Sequence, residues 1–144
     1  MRSRRLGRTW VAESESPRAD EAGAAAVELA IILPVLLLIL LGILEFGREY
    51  SKYLVLQGAA REGARVAAVR ADQATVVSRV YEAAEPYEPT SAPAVSTSSG
   101  SSQCDVLTKG QSVTVSWTQS FQLDIAFWDQ VTFSRPIQGV FRCE

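Results

Sequence analysis

Residues 23–44 read GAAAVELAIILPVLLLILLGIL, and Glu28 is the one charged side chain among them. At about 1.5 Å per residue, the run from Ala24 to Leu44 extends roughly 30 Å as a helix, enough to cross a bilayer core. Its leucine-rich centre, residues 36–41, is too apolar for a surface helix. Pro34 interrupts the run, but a proline in a membrane helix is tolerated and usually kinks it. The competing reading is a removable secretory signal, whose apolar core spans about 7–15 residues and ends in a small-x-small site. This run is longer, and Gly42-Ile43-Leu44-Glu45 is a poor cleavage site. No cysteine follows the run closely, which excludes a lipoprotein.

Glu28 stands at the edge of the span, and an acid there is costly enough to be a functional candidate by default. It lies five positions after Gly23, which closes a polar, arginine-bearing leader. That spacing suggests a processing site followed by an assembly group. The plainer reading is a carboxylate held in the first helical turn by the helix dipole, or reaching into the headgroups.

Basic residues do not fix the orientation. Arg2, Arg4, Arg5, Arg8 and Arg18 precede the span, and Arg48, Lys52, Arg61, Arg65 and Arg70 follow it, so the positive-inside count is nearly balanced. The leader is short and unpatterned, whereas the C-terminal part carries the foldable sequence. A cytoplasmic N-terminus and an extracytoplasmic C-terminus follow from that contrast. The leader, residues 1–23, is expected to be disordered in the cytosol.

Beyond the span (residues 24–44), helical character continues. From Glu45 to about Ala84 there is no proline, and alanine, leucine, arginine and glutamate dominate. Glu45 with Arg48, Glu49 with Lys52 and Glu62 with Arg65 are spaced for ion pairs on a solvated face. Ala60, Gly63, Ala64, Ala67 and Ala68 form a stripe of small side chains on which another backbone can approach closely. Toward the membrane the same side carries Phe46, Tyr50 and Tyr53, aromatics suited to the interface. The alternative for the stripe is alanine chosen for helix propensity alone. Pro86-Tyr87-Glu88-Pro89 stops this helix, placed at residues 45–86. Residues 87–103 form a linker, and the Ser/Thr-rich stretch 90–103 reads as a flexible connector or an ordered surface loop.

From Cys104 the period changes to two. Val113, Val115 and Trp117 alternate with polar residues, as do Phe121, Leu123 and Ile125, and Val131, Phe133, Ile137, Val140 and Phe141 follow. This pattern predicts three or four short antiparallel strands over residues 104–144. Lys109-Gly110 and Trp128-Asp129-Gln130 are candidate turns, and Pro136 belongs at a strand end or an edge. A region this small cannot fold well alone. It needs the long helix to lie on, a staple, or both. Cys104 and Cys143 bracket it and can pair outside the cytosol; the alternative is two free thiols.

Several chemistries are missing. The chain has 144 residues, a net charge of -2 and no histidine. Basic residues are not clustered with aromatics, so no nucleic-acid footprint is present. Without histidine no Ser/His/Asp or Cys/His set can form. There is no Cys-x-x-Cys and no Gly-rich phosphate loop. Glu82, Glu85 and Glu88 read as a solvated acidic helix end rather than a metal or acid/base site. No catalysis, cofactor, metal or small-molecule substrate is expected.

Val27-Glu28-Leu29-Ala30 followed by Leu33-Pro34, then residues 41–48 (LGILEFGR) and residues 59–67 (AAREGARVA), resemble the TadE-like family. These are minor pilins, or pseudopilins, of the tight-adherence (Flp) pilus system. The resemblance covers residues 22 to about 70; beyond residue 87 it is only architectural. It implies an α+β, pilin-like fold, with one long N-terminal helix and a small C-terminal antiparallel sheet. It also implies that a prepilin peptidase cuts between Gly23 and Ala24. Glu28 would then be the fifth residue of the mature chain and engage the new N-terminal amine of a neighbouring subunit. Leu29 stands where phenylalanine is more usual. The implied partners are membrane lipid, the peptidase, other pilins and the Tad assembly machinery. The alternative is an uncleaved single-span protein whose extracytoplasmic domain binds a partner.

Overall fold

A computed structural model describes the backbone of residues 18–105, 107–124 and 129–144, with side chains from residue 23 onward. It is α+β. Helices α1 (Arg18–Ala68) and α2 (Gln73–Ala84) precede an antiparallel sheet of β1 (Ala94–Thr97), β2 (Ser112–Leu123) and β3 (Val131–Arg142), in the order β1-β2-β3. The expected disorder of residues 1–17 lies outside the described residues. Residues 18–23, placed in the unpatterned leader from sequence, are instead helical.

The chain divides into two compact units, one ending at Leu38 and one beginning at Ile39. In the first, α1 is bare. Every side chain from Gly23 to Leu38 is exposed, and Pro34 sits inside uninterrupted helix. The described helix from Gly23 is long and apolar enough to cross a membrane.

In the second unit the exposed apolar run ends at Leu44 and charged turns begin. The anticipated pairs form: Glu45–Arg48 at 2.8 Å, Glu49–Lys52 at 3.7 Å and Glu62–Arg65 at 2.8 Å. Where the sequence reads one helix to Ala84, the structure has two. Val69 and Arg70 donate to the carbonyls of Val66 and Ala67, and Arg70 adopts a φ of 68°, which ends α1. Asp72 then caps α2 by accepting from the Thr75 amide at 3.3 Å. No proline or glycine marks this break, so an alanine-rich composition conceals it. The Asp-x-x-Thr cap was the available signal. The reversal returns Val76, Val80 and Ala84, one buried face of α2, to the core.

The sheet follows the period-two pattern. β2 turns Val113, Val115, Trp117, Gln119 and Phe121 inward, and β3 adds Ile137. β3 is an edge strand and carries Pro136 opposite Thr118, a place where a missing N–H is tolerated. Lys109 and Gly110 form the expected turn. Ile125 and Trp128, expected in a strand and a turn, lie outside the described residues; Asp129 and Gln130 lead into β3.

Residues 90–103 are not a flexible connector. They contain β1, which pairs with β2 from Ala94 opposite Ser116 to Thr97 opposite Val113. Ahead of it, Thr90 Oγ1 donates to the Thr118 carbonyl at 3.1 Å and accepts from the Ser120 amide at 3.0 Å. The hydroxyl-rich composition that reads as a linker here completes the edge of a sheet. Gln119 is the buried polar exception. Its Oε1 accepts from Trp117 Nε1 at 3.0 Å and from the Thr90 amide at 3.1 Å, and its Nε2 donates to the Glu88 carbonyl at 3.4 Å.

Helix and sheet meet over the small-residue stripe. A Cβ on Gly139 would collide with the backbone of Ala60 and Arg61, and one on Gly63 would collide with Val80. Cys104 and Cys143 are bonded, with Cα atoms 5.6 Å apart and a sequence separation of 39. The next residue, Glu144, donates its amide to the Ala68 carbonyl at 3.1 Å, tying the sheet to the end of α1.

Two outcomes follow for the full chain in detergent micelles, read by chemical denaturation. Replacing both cysteines by serine should lower the stability of the disulfide-bonded region by about 2–5 kcal/mol. Gly139→Ala should cost about 1–3 kcal/mol, because helix backbone cannot move aside as a side chain can.

Candidate functional site

Gly23, Ala24 and Glu28 all lie on α1 and all are exposed. Nothing approaches the position of a Gly23 Cβ. Glu28 stands one helical turn after Ala24, on the same face. Among the described residues it makes no hydrogen bond or ion pair. In a low-dielectric layer an unpaired carboxylate charge is strongly disfavoured.

The packing stripe is placed differently from a subunit contact. Ala60, Gly63, Ala64, Ala67 and Ala68 are all buried, and the chain's own α2, β2 and β3 cover them. The backbone that approaches closely is that of Gly139 in β3. The backbone that these small residues admit is therefore internal to the chain. Charge reinforces the same junction. Glu62 on α1 accepts from Arg65 at 2.8 Å and from Arg79 of α2 at 3.3 Å, and Arg79 also pairs with Glu82 at 2.8 Å. The hydrogen bonds of Arg65, reinforced by Arg79, hold the Glu62 carboxyl down at about 2.

Aromatic residues form a second feature that runs from helix to sheet. Phe46 stacks with Tyr50 at 6.2 Å between ring centroids, and Tyr50 with Tyr53 at 6.4 Å. Tyr53 meets Phe121 at 6.2 Å, and Phe121 stacks on Phe133 at 5.5 Å. The ladder lines a groove of about 330 Å³ that also includes Glu49, Leu123, Arg135 and Pro136. Phe46 is 63% exposed and Tyr50 53%. The three helical aromatics were visible in sequence at i, i+4 and i+7. Their continuation through Phe121 and Phe133 was not, because it depends on how β2 and β3 lie on α1.

Glu82, Glu85 and Glu88 line an open hollow with Tyr81, Pro86 and Tyr87. Among the described residues no group of three or more His, Cys, Asp or Glu could hold a metal.

Residues 23–65 match the family model described as TadE-like protein, the same family that the motifs in α1 resemble. The match takes in Gly23, Ala24, Glu28 and the aromatic turn, and it ends before Ala67 and the sheet. No curated protein and no solved structure matches the chain.

The depressed Glu62 carboxyl makes a pH prediction. A carboxylate held below its ordinary value of 4.5 stabilises the fold above that pH, and the contribution disappears as pH falls toward about 2. Thermal unfolding midpoints should therefore drop between pH 4.5 and 2. In Glu62→Gln that part of the drop should be absent, and the midpoint at neutral pH should be lower.

Proposed function

We propose that this chain is a membrane-anchored, minor pilin-like (pseudopilin) subunit that serves the assembly of a Tad/Flp-type adhesive pilus. The reading is structural rather than enzymatic. The TadE-like match and the long apolar helix fit a Tad pilus-associated membrane protein. The single observation that carries the finer reading is Glu28: one exposed carboxylate, unpartnered among the described residues, in the otherwise uncharged run from Gly23 to Leu44 and five residues past Gly23. Cleavage after Gly23 by a prepilin peptidase would release an amine at Ala24. A neighbouring subunit's Glu28 would meet that amine at similar depth. In a low-dielectric layer the pair is far better than either charge alone. In this reading the N-terminus starts in the cytoplasm, the sheet and its disulfide lie outside, and the partners are lipid, the peptidase, other pilins and the Tad machinery.

One feature favours the runner-up, an uncleaved single-span protein with an extracytoplasmic partner-binding domain. α1 begins at Arg18, so the Gly23–Ala24 bond lies inside helix, and a peptidase must unwind it locally. Intact mass of the membrane-extracted protein separates the two. In cells with the peptidase, the pilin reading expects a chain beginning at Ala24, and Gly23→Leu should leave it full length. A wild-type chain that keeps its leader would sink that reading. Glu28→Gln should still be processed and inserted, yet surface filaments recovered by shearing should be lost.

A further inference from the structure

The groove at the foot of the sheet carries charges of both signs on an aromatic floor. Its helical side is Phe46, Glu49, Tyr50 and Tyr53, one face of α1 in the two turns after the apolar run. Phe46 lies about 3 Å and Tyr50 about 9 Å beyond Leu44 along the axis. A bilayer's headgroup layer is roughly 5–7 Å thick on each side. A helix anchored by residues 24–44 therefore holds the Phe46 end of this groove within the headgroup layer and its Tyr50 end just beyond it. Its volume, about 330 Å³, suits a headgroup with its glycerol and not a helix of roughly 10 Å diameter.

The charges narrow the occupant. Arg135 is exposed on the rim and has no acidic partner among the described residues, so it is free to bind a phosphate. Glu49 is the groove's acid. Its Oε2 is buried and accepts no hydrogen bond, and Lys52 Nζ stands 3.7 Å away, also 5.5 Å from the centre of the Phe121 ring. A ligand ammonium reaches that oxygen by displacing Lys52, so one cation replaces another at the carboxylate while Lys52 keeps its place over the Phe121 ring; Arg48 Nε stands 4.0 Å from the other oxygen. A primary ammonium can donate the missing hydrogen bond, whereas a quaternary one cannot. Flanking rings favour a cation as well.

We propose that this groove binds the headgroup of an aminophospholipid from the bilayer that α1 spans, with phosphate on Arg135, ammonium on Glu49 and the glycerol and first methylenes on Phe46, Tyr50 and Phe133. The inference rests on the membrane-anchored reading above.

The test uses the full chain in nanodiscs of equal parts phosphatidylethanolamine and phosphatidylglycerol, with retained lipid counted by native mass spectrometry. The wild type should retain phosphatidylethanolamine over phosphatidylglycerol by about tenfold. Glu49→Gln should bring that ratio near one, and Arg135→Ala, an exposed change that does not threaten the fold, should remove both adducts. Equal retention by the wild type, an unchanged ratio in Glu49→Gln, or undiminished adducts in Arg135→Ala overturns the proposal. A photo-crosslinking residue in place of Leu123, which lines the groove, should capture lipid in cells; capture of a protein overturns it in favour of a protein partner. Carbonate extraction keeps the two readings apart. A chain that stays anchored without lipid preference defeats this inference alone, and a chain released by carbonate defeats the anchor as well.

Discussion

Helix and sheet in this protein meet backbone to backbone, and the rest of the second unit depends on that contact. Gly139 lies where any Cβ would strike the Ala60 carbonyl, and the stripe from Ala60 to Ala68 offers nothing larger than a methyl group to push it away. A three-stranded sheet has too little apolar area to stand alone. By lying directly on α1, its inward residues Val113, Val115 and Phe121 share a core with Leu56, Val76 and Val80. The disulfide and the Glu144–Ala68 hydrogen bond then secure the far end of the same junction. The helix that is bare through Leu44 is, from Leu56 on, the floor of a small domain.

Much of this was readable from residue types. An uncharged run of sufficient length, an alternating pattern in β2 and two cysteines bracketing a strand region each follow from strong local rules. The stripe was also legible as a place of close approach, but sequence alone could not say whose backbone would fill it. That answer depends on the position of Gly139, more than seventy residues away. The break at Arg70 and Asp72 escaped because nothing in its composition breaks a helix. An arginine with positive φ is uncommon, and only tertiary packing of α2 makes it worthwhile. β1 escaped for the opposite reason. Its serines and threonines have the composition of a linker, and the hydrogen bonds that order them come from β2.

The candidate site residues divide along the same line. Glu28 and Gly23 stand out in the sequence itself, within the segment of α1 that the family model matches. The groove was half legible. Phe46, Tyr50 and Tyr53 follow helical spacing, but Phe121, Phe133 and Arg135 join them only through the fold. Glu49 looks in sequence like a member of a surface ion pair with Lys52. In the structure that pair forms, and the same carboxylate also lines the aromatic groove with one oxygen buried and accepting no hydrogen bond.

Gln119 has a consequence for how β2 can be aligned. It occupies an inward position among Val115, Trp117 and Phe121, and its amide is matched by groups from Trp117, Thr90 and Glu88. Sliding β2 by one residue would turn Thr118 and Ser120 inward and Phe121 outward. It would also strip the Thr90 amide of its acceptor and the Glu88 carbonyl of its donor. An apolar residue at this site would tolerate such a slip far better. Gln119 thus acts as a key that fits one alignment of the strands, and it extends that choice to the segment leading into β1.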